Sequence, residues 1–150
     1  MKHAQPDMGK ENSLVQITQA IHLLEAQLGL PIGMQANSQL KMKVGMQWVF
    51  FQMASIGPMF GQVGFFHKFA GKDFEDKRPR DRYVNESKRL LGVMETRLEG
   101  RDWIMGKDFT IADVSMIGWV RSLTGFYGAG DLVGWNELKR VPAWLERCVA

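Results

Sequence analysis

The stretch GKDFTIADVSMIGWV, residues 106–120, constrains the fold more than any other part of the chain. Thr110 can accept a hydrogen bond from the backbone N–H of Asp113, and the Asp113 carboxylate can accept one from the backbone N–H of Thr110. This reciprocal pattern is a capping box, and Phe109 and Val114 flank it at the spacing of a hydrophobic staple. The helix that follows is apolar on several sides, so it is predicted to be the buried central helix of a core.

Asp113 has two readings, a structural acid or a general base. A carboxylate that is committed to backbone N–H groups has its lone pairs occupied and its charged form favoured, which makes it a poor base. We therefore interpret Asp113 as structural, and we predict no catalytic residue in this chain.

Apolar residues recur at helical spacing in the rest of the chain, which predicts an all-α bundle. The period-two alternation typical of strands is absent from the sequence. A first helix is predicted from its apolar positions Leu14, Ile17, Ile21, Leu24 and Leu28. A second is predicted to begin near Asn37 or Ser38, to kink at Gly57 because proline follows, and to resume through Phe66.

The segment FAGKDFEDKRPRD, residues 69–81, is predicted to be a loop. A third helix follows, carrying Tyr83, Leu90, Leu91, Met94 and Leu98, and Gly100 is predicted to end it. The last helix tolerates Pro142 in its first turn and is predicted to turn Trp144, Leu145 and Cys148 inward.

Composition excludes several classes of function. The single cysteine excludes an internal disulfide, and the three histidines show no metal-ligand spacing, so we expect no metal. The charged stretch from Lys72 to Arg89 mixes both signs, which argues against nucleic-acid binding. The N-terminus is polar, and no apolar run is expected to reach the roughly 20 uncharged residues of a membrane span, so a cytoplasmic protein without membrane contact is predicted.

The pattern WIMGKDFTIADVS, residues 103–115, resembles the capping box and staple of the central helix in the C-terminal domain of cytosolic glutathione transferases. The stretch QWVFFQMASIGPMFGQ, residues 47–62, is similar to the branch with Ure2-type proteins and disulfide-bond reductase or Nu-class transferases. The resemblance implies an all-α glutathione-transferase C-terminal-like bundle over 37–150. It also implies that 1–36 holds a polar segment and the last helix of a thioredoxin-like domain.

The strands of that thioredoxin-like domain are not in the sequence, so the resemblance implies a truncated member, a fragment, or the product of a gene that lost its first domain. Ile17, Thr18 and Gln19 stand where the family has Glu-Ser-Gly, so the carboxylate that faces the amino group of the peptide in the family is absent, and of the Glu-Ser pair only a hydroxyl remains, that of Thr18.

The resemblance also implies the site residues. Arg82 and Thr18 are expected beside glutathione, because an arginine at the start of the third helix suits its carboxylates; an exposed arginine among mixed charges is the alternative. The expected wall for an apolar substrate is Trp48, Phe51, Gln52, Met59, Phe60 and Tyr83. Such a stripe of methionine and aromatic residues is also typical of a core face.

Two functions therefore stay open. One is a glutathione transferase, acting by conjugation or glutathione-dependent disulfide reduction, in which this chain supplies the hydrophobic-substrate and dimerisation domain and is inactive or very weak alone. Glutathione is then a co-substrate, and no cofactor is expected. We also expect the chain to form a homodimer. The other is a non-catalytic interaction module with the same fold.

Overall fold

Helices account for the regular structure of the residues that the structure describes. The computed structural model describes residues 39–150, with side chains from Lys43 onward. The α-helices within that range are α1 (Gln39–Phe51), α2 (Gly57–His67), α3 (Arg78–Arg97), α4 (Ile111–Arg121) and α5 (Arg140–Val149). The shorter elements are π-helical at Gln52–Ile56 and Ser122–Phe126, and 3-10 helical at Ala70–Asp73 and Trp135–Glu137. β pairing in residues 39–150 amounts to one isolated bridge between Trp103 and Gly106, so the predicted all-α class is confirmed.

The π-helical segment joins α1 to α2 at the point where Pro58 enters. Pro58 is the second residue of α2, and it has no N–H to donate to the carbonyl of Ala54, four residues earlier. The backbone N–H of Gly57 instead donates to the carbonyl of Gln52, the wider spacing of a π turn. The helix is therefore interrupted as predicted, but the interruption lies on the N-terminal side of Gly57. The α-helix resumes at Gly57.

One expectation about this helical stretch is wrong. Lys43–His67 is long and apolar enough to cross a membrane by length and composition, with a mean hydropathy of 1.2 over its best 18-residue window. Glutamine and glycine dilute its apolar character without adding charge, so the uncharged run is longer than we expected. Length and composition alone are weak evidence for a span. The absence of membrane contact stays a prediction.

The helix that follows the capping box is the centre of the fold. α4 packs against α1, α2 and α5, and its Ala112, Met116 and Val120 have no exposed surface. Phe60 from α2 and Trp144 from α5 are the largest side chains buried around it. The predicted central buried helix is therefore confirmed.

The third helix begins earlier than its apolar pattern predicted. α3 starts at Arg78, so the last four residues of the predicted loop are helical. Pro79 lies in the first turn, where its missing N–H has no helical partner to lose. The end is as predicted, because Gly100 follows the helix with a φ of +66°, a conformation that favours glycine. The predicted first helix, Thr18 and the boundary at residue 36 lie outside the described residues.

Candidate functional site

Asp113 is the centre of a buried hydrogen-bond network. Its Oδ1 accepts from the backbone N–H of Ile104 at 2.8 Å and from the indole N–H of Trp144 at 2.9 Å. Its Oδ2 accepts from the backbone N–H of Thr110 at 2.9 Å and from the Thr110 hydroxyl at 3.1 Å. The Thr110 side chain also lies against the N–H of Asp113, which completes the capping box. Because four donors occupy this fully buried carboxylate, it has no free lone pair for a substrate proton.

The two residues of the predicted hydrophobic staple, Phe109 and Val114, lie in different environments. Phe109 packs edge to face on Trp103, with ring centroids 4.9 Å apart. Val114 is 40% exposed. A direct contact between Phe109 and Val114 stays a prediction.

A cleft between α2 and α3 is the candidate ligand site. Its volume of about 690 Å³ lies within the range of small-molecule sites, roughly 300–1,000 Å³. The side chains that line it are those of Met59, Arg82, Tyr83, Asn85, Glu86 and Arg89. The structure therefore brings together three residues that the sequence analysis named for ligand contact: Met59, Arg82 and Tyr83.

The charged side chains of the cleft differ in whether they form ion pairs. Arg89 donates two hydrogen bonds to Glu86, from Nε at 2.9 Å and from a terminal nitrogen at 2.8 Å. These bonds have the largest effect and lower the pKa of Glu86; burial, the next largest, raises it, and the charges of Arg89 and Arg82 lower it further, so the pKa lies below its usual value. Arg82 makes no ion pair with any residue in the described range. Its guanidinium is therefore the cation in the cleft that is available to an anionic ligand.

Tyr83 forms an apolar wall of the cleft. Its ring stacks on Phe66 with centroids 5.6 Å apart and planes 15° from parallel. Stacking over that distance fixes the plane of the ring.

Comparison with known proteins identifies the domain that holds this cleft. Residues 78–147 match the family described as glutathione S-transferase, C-terminal domain. The chain carries a glutathione S-transferase C-terminal domain.

Two full-length relatives extend this result. The chain is 35% identical over 113 residues to glutathione S-transferase 2 of Schizosaccharomyces pombe, covering 69% of this chain and 48% of the relative. It is 30% identical over 122 residues to the disulfide-bond oxidoreductase YfcG of Escherichia coli, covering 81% and 54%. The predicted resemblance to this branch is confirmed.

A solved relative is closer in sequence. A glutathione transferase from Burkholderia graminis, crystallised with two glutathione molecules bound per subunit, shares 56% identity and a TM-score of 0.75. The match covers 85% of this chain and 52% of that one. The chain thus spans about half the length of the relatives it matches.

The other predicted wall residues of this transferase domain lie apart from the cleft lining. Trp48 packs edge to face on Phe51 at 5.4 Å, and the Arg97 guanidinium lies 5.3 Å from the centroid of the Trp48 ring. The Gln52 amide lies beside Gly57, where an added Cβ would be 3.1 Å from it.

Phe60 requires a correction. It was expected in the substrate wall, but it has no exposed surface and belongs to the core. Met59, its neighbour in α2, is the residue of this pair that reaches the cleft. Helical periodicity alone did not distinguish the two, because both positions are apolar and only the packing of α3 and α4 separates them.

Cys148 has the environment of an unreactive thiol. Burial, and then the negative charge of Asp113, raise its pKa to about 12, although Arg147 acts in the opposite direction. The thiolate is the nucleophilic form, so this side chain is not a nucleophile near neutral pH. Within the described residues there is also no group of three His, Cys, Asp or Glu side chains that could hold a metal ion.

The sequence analysis missed half of the cleft. Asn85, Glu86 and Arg89 follow Arg82 by three, four and seven residues, which is the spacing of one helical face. That periodicity was available as a signal once Arg82 had been named. The contribution of Trp144 to the Asp113 network had no such signal, because 31 residues separate the two.

Proposed function

We propose that the chain acts within a glutathione transferase and supplies its helical, substrate-binding half. The family activities are glutathione conjugation and glutathione-dependent disulfide reduction. Support comes from the C-terminal domain match and from the names of the relatives, which include both a transferase and a disulfide-bond oxidoreductase. Glutathione is proposed as a co-substrate, and the protein is proposed to be cytoplasmic.

The observation that carries the proposal is the composition of the α2–α3 cleft. Arg82 lines the cleft with a guanidinium that makes no ion pair among the described residues, and its planar donors suit a carboxylate. Met59 and Tyr83 offer apolar surface beside it. A peptide with carboxylates at its ends and a thiol in its middle has the matching chemistry.

Activation of the glutathione thiol is a separate requirement. The buried acid Asp113 is occupied by four donors, and the Cys148 thiol is not ionised near neutral pH. Neither group can lower the pKa of a bound thiol or act as its base. We therefore propose that the isolated chain binds glutathione and has little or no conjugating activity by itself.

Two assays on the purified chain test the proposal. Retention on immobilised glutathione reports binding, and conjugation of glutathione to 1-chloro-2,4-dinitrobenzene reports turnover. Arg82→Gln is expected to lose retention, whereas Arg121→Gln, an exposed arginine of α4 outside the cleft lining, is expected to keep it. A chain with a helical circular dichroism spectrum and no retention contradicts the proposal.

A non-catalytic interaction module is the second candidate. The observation in its favour is the exposure of Phe50 and Met53, at 60% and 63%, in the apolar helical stretch Lys43–His67. Large exposed apolar side chains that lie close together are typical of interaction surfaces. A folded, self-associating chain without glutathione retention would favour this function over the first.

A further inference from the structure

The C-terminal end of α3 carries a guanidinium that is held in place without an acidic partner. Arg97 is half-buried, and its Nε donates to the carbonyl of Ile104 at 2.7 Å. Its guanidinium carbon also lies 5.3 Å from the centroid of the Trp48 ring. Among the described residues Arg97 makes no ion pair. Because a charge removed from water is costly unless it is paired, this arrangement indicates an anion that comes from elsewhere.

A second guanidinium lies close to the first. Arg101 donates from one terminal nitrogen to the backbone carbonyls of Arg97 and Glu99, at 2.8 and 3.1 Å. Burial, and then the positive charge of Arg101, lower the pKa of Arg97. The two like charges repel each other at this range. An anion bound to both would replace that repulsion by two attractions, and a doubly charged anion would gain most.

The acidic side chains of the same segment do not neutralise these two arginines. Glu95 accepts from backbone N–H groups at the start of α5, and Glu99 accepts from Arg140 at 3.0 Å. Asp102 follows Arg101 in the sequence, but within residues 43–150 it forms no ion pair. The positive charge at this end of α3 is therefore available to a ligand.

A groove on the surface of α3 ends at Arg97. Its volume is about 470 Å³, within the range of small-molecule sites. The residues that line it follow one face of the helix: Arg89, Gly92, Val93, Thr96 and Arg97. The Thr96 hydroxyl donates to the Gly92 carbonyl at 3.0 Å, and Arg89 is paired with Glu86. The groove therefore offers an apolar floor that leads to one guanidinium without an acidic partner.

We propose that this end of α3 binds a phosphate monoester, with Arg97 and Arg101 donating to the phosphate and the organic group lying on Gly92 and Val93. A phosphate monoester carries about two negative charges above pH 7, and its oxygens suit the planar donors of arginine. The contacts to Ile104 and Trp48 hold the Arg97 side chain before a ligand arrives, which lowers the cost of ordering it.

The site is distinct from the α2–α3 cleft. Arg89 is the one lining residue that the groove and the cleft share, and its charge is paired in both. The inference does not depend on glutathione binding, so the two can be tested separately.

Calorimetric titration of the full chain at pH 8 and low ionic strength tests the site with three probes. Phenyl phosphate is a monoester, methyl phenyl phosphate carries the same ring with one negative charge, and inorganic phosphate carries the charge without the ring. Phenyl phosphate is expected to bind about tenfold more tightly than the diester, because the diester lacks the second charge. It is also expected to bind more tightly than inorganic phosphate, because its ring covers apolar surface in the groove.

Substitutions assign the binding to individual side chains. Arg97→Gln is expected to weaken the binding of phenyl phosphate about tenfold, and Arg101→Gln, at a more exposed position, about threefold. Arg97→Lys keeps the charge but loses the planar donors, so it is expected to restore only part of the affinity. Arg121→Gln, which replaces an exposed arginine of α4, is the matched control and is expected to change nothing.

The outcomes separate this inference from the proposed function. Equal affinity for the monoester and the diester, or no binding of phenyl phosphate to a chain with a helical spectrum, overturns the inference whether or not glutathione is retained. Binding that is lost in Arg82→Gln but kept in Arg97→Gln places the anion in the α2–α3 cleft and also overturns it. Equal affinity for phenyl phosphate and inorganic phosphate overturns the assignment to an ester. Loss of monoester binding in Arg97→Gln, with glutathione retention unchanged, supports the inference.

Discussion

At the scale of single residues, the buried Asp113 carboxylate connects three parts of the chain. It ties together the loop at Ile104, the start of α4 and the indole of Trp144 on α5. Buried donors that lose their acceptor cost roughly 1–3 kcal/mol each, because they cannot turn to water. The carboxylate thus links three parts of the chain that meet at the core.

Replacing this carboxylate is expected to be severe. Asp113→Ala leaves two backbone N–H groups and one indole N–H without an acceptor, so we expect a loss of at least about 3 kcal/mol in the free energy of unfolding. Urea unfolding followed by circular dichroism measures it. Asp108→Ala, an exposed acid in the same loop, is the control and is expected to change stability by less than about 0.5 kcal/mol. Equal effects of the two substitutions would contradict the role assigned to Asp113.

Cys148 provides a second residue-scale test. With a pKa of about 12 the folded thiol is almost entirely protonated at pH 8, whereas an unfolded cysteine has a pKa of about 8.5. Labelling by a thiol-specific chromogenic disulfide is therefore expected to be on the order of 10³ slower in buffer than in denaturant. Because the pKa of the thiol is higher in the folded chain, its ionisation does not affect the free energy of unfolding below about pH 8.5. The free energy of unfolding is expected to fall as pH rises from there towards 12. Rapid labelling of the native chain would contradict the burial of this thiol.

At the scale of whole helices, Glu95 joins α3 to the beginning of α5. Its carboxylate accepts from the backbone N–H groups of Lys139, Arg140 and Val141 at 2.9–3.0 Å. Those N–H groups have no partner inside α5, because they belong to its first turn. The Arg140 side chain adds bonds to Glu95 and Glu99. A side chain from a different helix thus caps α5.

The cap has a pH dependence of known sign. Burial alone would raise the pKa of Glu95, but the N–H groups of Val141, Arg140 and Lys139, and then the Arg140 charge, lower it overall. A lowered folded pKa means that the stabilisation is complete above the unfolded pKa, about 4.3, and is lost as pH falls through the folded value. Glu95→Gln is expected to cost about 1 kcal/mol at pH 7 and progressively less below about pH 4. Thermal unfolding at several pH values, with Glu146→Gln as control, checks this; a pH-independent difference would contradict it.

A close approach between α2 and Tyr127, which follows the second π-helical segment, gives another test. A Cβ added at Gly64 would lie 2.7 Å from two carbons of the Tyr127 ring. Gly64→Ala is therefore expected to cost about 1–3 kcal/mol through overpacking. Gly118 in α4 has nothing within 4 Å of its added Cβ, so Gly118→Ala is expected to be neutral or to stabilise by up to about 1 kcal/mol.

A double-mutant cycle identifies the cause of that cost. In a Tyr127→Ala background the added methyl group meets no ring, so Gly64→Ala is expected to lose most of its penalty. An unchanged penalty in that background would show that the cost arises elsewhere.

Contacts between residues close in sequence could be predicted, whereas contacts between residues far apart in sequence could not. The capping box spans three residues, so its partners were readable from Thr110 and Asp113 alone. The cap of α5 joins Glu95 to residues 44 to 46 positions later, and no local pattern marks it. In the cleft, Arg82 and Tyr83 were predicted and Phe60 was misplaced, because the inward face of α2 is set by its neighbours.

At the scale of the whole molecule, apolar surface is distributed unevenly. Met116 of α4 and Trp144 of α5 are completely buried, whereas 28% of the most apolar window in Lys43–His67 is buried. Phe50 and Met53 project from this stretch. Covering such side chains is favourable by roughly 25 cal/mol per Å² of apolar area, so a partner surface for this helix is expected.

The predicted homodimer is the simplest such partner, because a two-fold axis lets one copy cover the same surface on the other. Sedimentation equilibrium is expected to give twice the 17.1 kDa mass of the chain. Replacing both Phe50 and Met53 by serine is expected to weaken association at least about tenfold, since two large apolar contacts are lost. Val149→Ser removes an exposed apolar side chain from α5 and is expected to leave association unchanged. A wild-type chain that sediments as a monomer, or a dimer indifferent to the Phe50 and Met53 substitutions, would show that this surface serves a different partner.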